Sequence, residues 1–181
     1  MKQHYLGQTI FLIKEDWSRL KNLGASKKDF KISVLIHPRF VHIVLIRVSH
    51  YLYANKRTIL AKLILVLNYF LFKIEVSAKT SIGPGLVIPH PDGIVIGARS
   101  IGSNVTIFQQ VTIGSKYIDF ELNELLRPTI GNNAILGAGS KILGNINIGQ
   151  GAVIGANAVV IKDVPAFFCA RGVPARVFKQ K

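Results

Sequence analysis

Residues 130–160 read IGNNAILGAGSKILGNINIGQGAVIGANAVV, and an aliphatic residue returns in this stretch at every sixth position. The repeated positions are Ile130, Leu136, Ile142, Ile148, Ile154 and Val160. A period of six matches neither the 3.6-residue period of a helix nor the two-residue period of a strand. It is typical of a hexapeptide repeat, in which each hexad forms a short strand and a turn and three hexads close one triangular coil.

The same period continues upstream and predicts a β-helix over residues 75–181. The earlier repeated positions are Val76, Ile82, Ile88, Val95, Ile101, Ile107 and Ile113. We expect each repeated side chain to stack on its copy from the coil below and to fill the interior of the β-helix. Two interruptions break the count, over residues 88–95 and 113–130, and the second contains a protruding loop at 115–128. Such breaks project from a rigid wall, so both are candidate functional loops.

Residues 1–74 lack the six-residue period and are predicted to form an α-helical N-terminal region. A first helix spans about residues 10–23 and ends at Gly24, because glycine accepts the positive φ of a helix end. Pro38 can open a second helix that runs to about residue 55, since the first helical position needs no N–H. A third helix covers about residues 57–72.

The charge of the chain calls for an anionic neighbour. Lys and Arg number 23 against 9 Asp and Glu, which gives a formal net charge of +14 over 181 residues. Between Asp29 and Glu75 there are seven basic residues, no acidic one, and long apolar runs. Such a stretch suits the headgroup region of an anionic membrane, whereas nucleic-acid-binding folds need exposed aromatic residues and motifs that are missing here. The alternative is that these helices pack on each other or on a partner subunit.

The sequence further predicts a cytoplasmic protein, held peripherally on the inner face of the cytoplasmic membrane. The chain reaches Lys14 and Glu15 before any signal-peptide apolar core, and no segment offers about 20 uninterrupted apolar residues. A single cysteine, Cys169, excludes an internal disulfide and a Cys-cluster zinc site. His90 is the only histidine after residue 50, so no zinc site and no other metal is expected in the β-helix.

Three further segments of the β-helix region stand out, residues 89–97 (PHPDGIVIG), 107–114 (IFQQVTIG) and 172–177 (GVPARV), together with the helical segment 47–53 (RVSHYLY). In these segments the sequence resembles the serine acetyltransferase family of left-handed β-helix acyltransferases. The resemblance covers about residues 38–178. It implies a mainly β fold with an α-helical N-terminal part, a left-handed parallel β-helix, acetyl-CoA as co-substrate, and a homotrimer or a multiple of three.

The resemblance also implies the catalytic residues. In this family a histidine in the first turn insertion is the general base, and a carboxylate fifteen residues earlier is its partner. The matching positions here are His90 and Glu75, with Glu in place of the family's Asp. A hydroxyl becomes a good nucleophile when a positioned histidine takes its proton, and a carboxylate on the other ring nitrogen fixes the tautomer. Backbone N–H groups near Gly114 and Ser115 would meet the developing oxyanion.

The remaining binding residues follow from the groove that this family forms between neighbouring β-helices of its trimer. Small residues let the pantetheine arm of acetyl-CoA approach the backbone, and basic residues meet its phosphates. The candidates for these two roles are Gly114, Ser115, Ala138, Ala156, Lys162, Arg171 and Arg176. Asp92, Gln109 and Arg127 are the candidates for binding the acceptor.

Departures from the family pattern shift the expected acceptor away from serine. Pro89 stands where the family has an acidic residue, and Leu126-Arg127-Pro128 stands where it has Arg-His-Pro. The chain therefore resembles the exopolysaccharide O-acetyltransferases, such as the colanic acid acetyltransferase. We expect acetyl transfer to a sugar hydroxyl of a surface polysaccharide, on a free or lipid-linked glycan. The alternatives are a serine O-acetyltransferase of cysteine synthesis and a non-catalytic, membrane-associated solenoid scaffold.

Overall fold

A computed structural model describes residues 6–119, 121 and 123–180. Its first elements are α1 (Leu6–Asn22), a short 3₁₀ helix (Ile32–Ile36), α2 (Val41–Ala54) and α3 (Thr58–Phe72). The three predicted helices are present, and each end lies within four residues of the position expected from the sequence. Gly24 follows α1 with a φ of +84°, the conformation for which glycine is suited at a helix end.

The strands that follow wind into three sheets, which are parallel except for the antiparallel pair of the last two strands. They are β1 (Ile74–Val76), β2 (Ser81–Ile82), β3 (Ile94–Ile96), β4 (Ser100–Ile101), β5 (Thr106–Ile107), β6 (Thr112–Gly114), β7 (Thr129–Ile130), β8 (Ile135–Leu136), β9 (Lys141–Leu143), β10 (Asn147–Ile148), β11 (Val153–Ile154), β12 (Val159–Val160), β13 (Phe168–Arg171) and β14 (Arg176–Lys179). Sheet A contains β1, β3, β6, β9 and β12, sheet B contains β2, β4, β7 and β10, and sheet C contains β5, β8, β11, β13 and β14. From β3 to β12 the chain visits sheets A, B and C in turn, which confirms the predicted parallel β-helix.

The interior of the β-helix follows the predicted repeat with one exception. The expectation that Val95 points inward is wrong, because Val95 pairs with Glu75 on the outer face and Ile96 is buried instead. Within β3, Ile94 and Ile96 are buried on either side of the half-buried Val95, since alternate residues of a strand face opposite sides. The inward-facing stack on sheet A consists of Val76, Ile96, Ile113, Ile142 and Val160.

A buried ion pair fastens the helices to the first coil of the β-helix. Arg47 on α2 contacts Asp16 on α1 twice, with Nε 2.8 Å from Oδ2 and Nη2 3.0 Å from Oδ1. Arg47 also donates to the carbonyls of Ile82 and Gly83 at 2.6 Å each, and the N–H of Leu86 donates to Asp16 at 2.8 Å. Burial raises the pKa of the Asp16 carboxyl, and the Arg47 guanidinium opposes that rise. Each guanidinium nitrogen thus has a partner, which fixes α1 and α2 on the coil.

Candidate active site

The predicted base lies on the edge of the β-helix at which the chain passes from sheet C to sheet A, here called the C–A edge. Successive turns along this edge are joined by backbone hydrogen bonds. Gln110 N–H donates to the Asp92 carbonyl at 2.8 Å, Gly139 N–H donates to Gln109 at 2.9 Å, and Asn157 N–H donates to Ala138 at 2.8 Å. The C–A edge therefore brings together the predicted site residues His90, Asp92, Gln109, Ala138 and Ala156.

His90 lies in the turn insertion of the C–A edge with its side chain exposed. The flanking residues Pro89 and Pro91 restrict the backbone of this turn, because proline fixes φ. At the base of the turn, the buried His42 of α2 has Nε2 3.2 Å from the carbonyl oxygen of Ile88. Burial lowers the pKa of His42 to about 4, so its ring is neutral near pH 7 and Nε2–H donates to that carbonyl. A buried hydrogen bond thus holds the start of this turn, while the imidazole of His90 is exposed to solvent.

His42 and the Asp16–Arg47 pair were not identified as site-supporting residues from the sequence. The signal for His42 was a histidine inside the apolar run Val41-His42-Ile43-Val44, which is typical of a buried ring. Asp16 and Arg47 lie 31 residues apart, so nothing local connects them.

Glu75 is the central residue of β1 on the outer face of sheet A. Its neighbour in the next strand is Val95, and Thr112 follows in the strand after that. Among the described residues, neither Glu75 nor His90 has a side-chain hydrogen bond or ion pair, so no hydrogen bond joins the two. Both side chains are therefore open to a substrate, and the His90–Glu75 pair stays a prediction.

A groove of about 480 Å³ lies on the outer face of sheet A, next to the protruding loop 115–128. Its lining includes Glu75, Thr112, Gly114, Ser115 and Tyr117. A Cβ added at Gly114 would meet no atom within 4 Å, whereas one at Gly137 would lie 2.6 Å from the carbonyl oxygen of Ile154. Gly137 is thus required by the packing of coil on coil. Gly114 is not, and its missing side chain leaves open space in the groove.

Two other predicted residues of this region have side chains that are already bonded. Arg127 is buried, and its Nη1 donates to the Gly97 carbonyl at 3.0 Å while its Nη2 donates to Asp119 Oδ2 at 2.8 Å. These contacts hold the protruding loop on the β-helix, so the predicted acceptor role of Arg127 competes with a structural one. Ser115 Oγ donates to the Tyr117 carbonyl at 2.7 Å and accepts the Tyr117 N–H at 3.1 Å.

The basic candidates for the CoA phosphates lie toward the last coil. Arg171 on β13 and Arg176 on β14 are directly opposite each other in the antiparallel pair, and both are exposed. Like charges in that position repel each other, so a bound anion would relieve the repulsion. The Arg171 guanidinium also lies 4.5 Å from the ring centroid of Phe178, which orients it. Lys162 is exposed beyond the end of β12.

Within the described residues, no group of three His, Cys, Asp or Glu side chains could hold a metal ion.

The comparisons with known proteins agree with this architecture. The family described as "Bacterial transferase hexapeptide (six repeats)" matches residues 127–162. A serine acetyltransferase of Bacillus subtilis is 35% identical over 170 residues, which cover 93% of this chain and 77% of that protein. This chain belongs to the serine acetyltransferase family of hexapeptide-repeat acyltransferases.

Two further members of this family show how far the likeness extends. A serine acetyltransferase of Staphylococcus epidermidis is 40% identical over 147 residues, which cover 81% of this chain. The chain spans only 66% of that relative's length. A solved structure titled "Serine Acetyltransferase- Complex with CoA" is 30% identical and superposes with a TM-score of 0.82, covering 96% of this chain and 71% of that one. The expected membership of this acetyltransferase family is thus confirmed.

The expected acceptor has to be corrected. The relatives at 35–40% identity are serine acetyltransferases, so the prediction of a polysaccharide O-acetyltransferase with a sugar acceptor is wrong. That prediction depended on a few short departures from the family pattern, among them Pro89 and residues 126–128. The reported identity over 93% of the chain outweighs these few positions.

Proposed function

We propose that this protein is a serine O-acetyltransferase that moves the acetyl group of acetyl-CoA to the hydroxyl of serine. The observation that carries the proposal is the likeness to the B. subtilis serine acetyltransferase over 93% of this chain. The availability of acetyl-CoA inside the cell favours a cytoplasmic enzyme.

In the proposed mechanism His90 is the general base. Its imidazole takes the proton of the serine hydroxyl while the oxygen attacks the thioester carbonyl, and a C–O bond forms. When the tetrahedral intermediate collapses, the C–S bond breaks and the imidazolium returns the proton to the departing CoA sulfur. Glu75 orients the His90 ring and stabilises its positive form. Backbone N–H groups near Gly114 and Ser115 meet the oxyanion.

The acceptor-binding proposal is supported by two residues on adjacent turns of the C–A edge. Serine carries an ammonium group, which needs carboxylate or carbonyl oxygens as partners. Asp92 is exposed two residues after His90, and the backbone of the next turn bonds directly to it. Gln109 has its Oε1 buried with no hydrogen-bond partner among the described residues. An unsatisfied buried acceptor is costly, so a substrate ammonium that bonds to it would gain affinity.

A trimer is supported by the positions of the co-substrate residues. His90, Ala138 and Ala156 lie on the C–A edge, whereas Gly114 and Ser115 lie at the opposite edge of sheet A. A groove that includes both sets must cross the outer face of sheet A, and a second copy of the chain is needed as its other wall. We propose that Lys162, Arg171 and Arg176 bind the CoA phosphates in that groove.

The test is an acetyl-CoA assay that follows release of free CoA and formation of O-acetylserine. We expect turnover with L-serine and none above background when serine is omitted. Alanine, which lacks only the hydroxyl, is the matched control acceptor and should give no product. Absence of acetyl transfer to serine, despite measurable CoA binding, would overturn the proposed acceptor.

A further inference from the structure

The helix α3 carries a broad apolar face that no described residue covers. It consists of Ile59, Leu60, Leu63, Val66, Leu67, Phe70 and Leu71, whose exposed fractions run from 47% to 75%. At 3.6 residues per turn these positions form one arc of about 140° around the helix. No polar side chain interrupts the arc. We refer to these seven residues as the α3 apolar face.

Only a narrow stripe of α3 is packed against the rest of the protein. Ala61 and Asn68 are its buried residues, seven positions apart and hence two turns along the same side. Asn68 Nδ2 lies 3.4 Å from the carbonyl oxygen of His42 on α2. A helix that is apolar nearly all round is normally buried on all sides, so α3 needs a second contact surface.

Cations frame the α3 apolar face. Arg57 precedes the helix, Lys62 lies at one side of the arc, and Lys73 follows the last turn. The Lys73 Nζ lies 5.6 Å from the ring centroid of Tyr69 and 6.0 Å from that of Phe70, so its stem runs along the aromatic rings. No acidic residue occurs in residues 30–74. The complementary surface is therefore apolar in the middle and anionic at its rim.

We propose that the α3 apolar face docks on an anionic lipid bilayer, with α3 lying parallel to the membrane plane. Apolar side chains enter the acyl boundary and the surrounding Lys and Arg reach the lipid phosphates, as in interfacial amphipathic helices. Among the described residues no helix is long and apolar enough to cross a membrane.

A second copy of the chain fits this surface less well. Two α3 apolar faces in contact would bring Arg57, Lys62 and Lys73 of both copies to one rim without an acidic side chain of the segment to balance them. Like charges at an interface disfavour association, whereas anionic headgroups satisfy the same cations. Charge complementarity therefore favours the bilayer over a face-to-face pair of α3 helices.

Flotation of the full chain with lipid vesicles tests the docking. We expect the protein to float with phosphatidylglycerol-containing vesicles at low salt, to float less at high salt, and to remain unbound with neutral phosphatidylcholine vesicles. The variant R57E/K62E should lower the affinity at least tenfold. The matched control K27E/K28E changes two exposed lysines outside α3. Both double variants lower the formal net charge by 2 × 2, from +14 to +10. The control should still bind the anionic vesicles.

A third variant, L63S/F70S, separates apolar docking from charge attraction. It should lose vesicle binding although every basic residue remains. The proposal is overturned if the wild-type chain does not float at low salt or if K27E/K28E weakens binding as much as R57E/K62E. It is also overturned if L63S/F70S lowers the assembly mass in light scattering, since the face would then belong to a subunit interface. Acetyl transfer in solution should be unchanged in R57E/K62E, which keeps this test separate from the proposed function.

Discussion

At the scale of single residues, His90 combines exposure with a firmly held backbone, and this sets the first prediction. Changing His90 to Gln should leave the fold intact, because the side chain is exposed and has no hydrogen bond or ion pair among the described residues. The turnover number kcat should fall by about 10²–10⁴, the usual contribution of a general base. Steady-state kinetics with acetyl-CoA and serine measure the loss, and Gln150→Ala, an exposed turn residue away from the C–A edge, is the control. Full activity of H90Q would refute the assigned base.

His42 should make the stability of the protein depend on pH. Its pKa is lowered to about 4 in the folded protein, against about 6.5 when unfolded. The unfolded chain therefore binds the proton first as the pH falls, and the free energy of unfolding should decrease from pH 6.5 to about 4, by up to about 3 kcal/mol. Urea unfolding across this range measures the decrease. In His42→Gln, which keeps an N–H donor, the decrease should be smaller by that amount; an identical profile would contradict the assignment.

At the scale of the coil, two glycines of the repeat region should respond in opposite ways to alanine. A Cβ at Gly137 lies 2.6 Å from the Ile154 carbonyl oxygen, so Gly137→Ala must push two coils apart. We expect a loss of about 1–3 kcal/mol, as for other overpacked sites. Gly114→Ala has open space and should unfold at the wild-type temperature.

The same pair of positions distinguishes packing from co-substrate binding. Thermal unfolding gives the stability of each variant, and the KM for acetyl-CoA gives its binding. The larger change Gly114→Leu should raise that KM while the melting temperature stays close to the wild-type value. Unchanged KM in G114L would remove Gly114 from the proposed groove.

The contact between the helices and the first coil depends on Arg47. Replacing Arg47 by Met leaves the Asp16 carboxylate buried without its partner and two backbone carbonyls without a donor. Breaking a buried ion pair in this way costs about 3–5 kcal/mol, and denaturant unfolding should show that loss. The exposed Arg39→Met is the control and should be nearly neutral. If Asp16→Leu combined with Arg47→Met were no more stable than Arg47→Met alone, the unpaired carboxylate would not be the cause.

The elements that could be predicted from the sequence are those with a local periodic signal. The six-residue repeat predicted the coils of the β-helix, and Gly24 predicted where α1 ends. Val95 was misassigned because the first insertion lengthens the step from Ile88 to Ile96 to eight positions, and counting in sixes cannot locate an insertion within a turn. The bonding of Arg127 to Gly97 and Asp119 depends on a contact between a loop and a coil 30 residues away, which no local pattern encodes.

At the scale of the whole molecule, assembly is the decisive property. If the proposed groove needs a neighbouring copy as its second wall, the active species is a trimer or a multiple of three, and dilution below the dissociation constant of the assembly should abolish acetyl transfer. Light scattering combined with activity measurements across a dilution series tests this. A monomer that retains full specific activity would show that one chain completes the site.

The reversal of direction at β14 has a consequence for the length of the particle. A parallel coil ends in a row of free N–H and C=O groups on which another molecule's first coil could continue the winding. β14 occupies that row on sheet C in the antiparallel sense, with the exposed Arg176 and Lys179 along it, and α2 covers the opposite end with Ile46 and Arg47. The last strand of sheet C and the first coil therefore do not offer the parallel edge that another copy would need for pairing. Head-to-tail continuation of the parallel winding is therefore disfavoured on sheet C by β14 and at the first coil by α2.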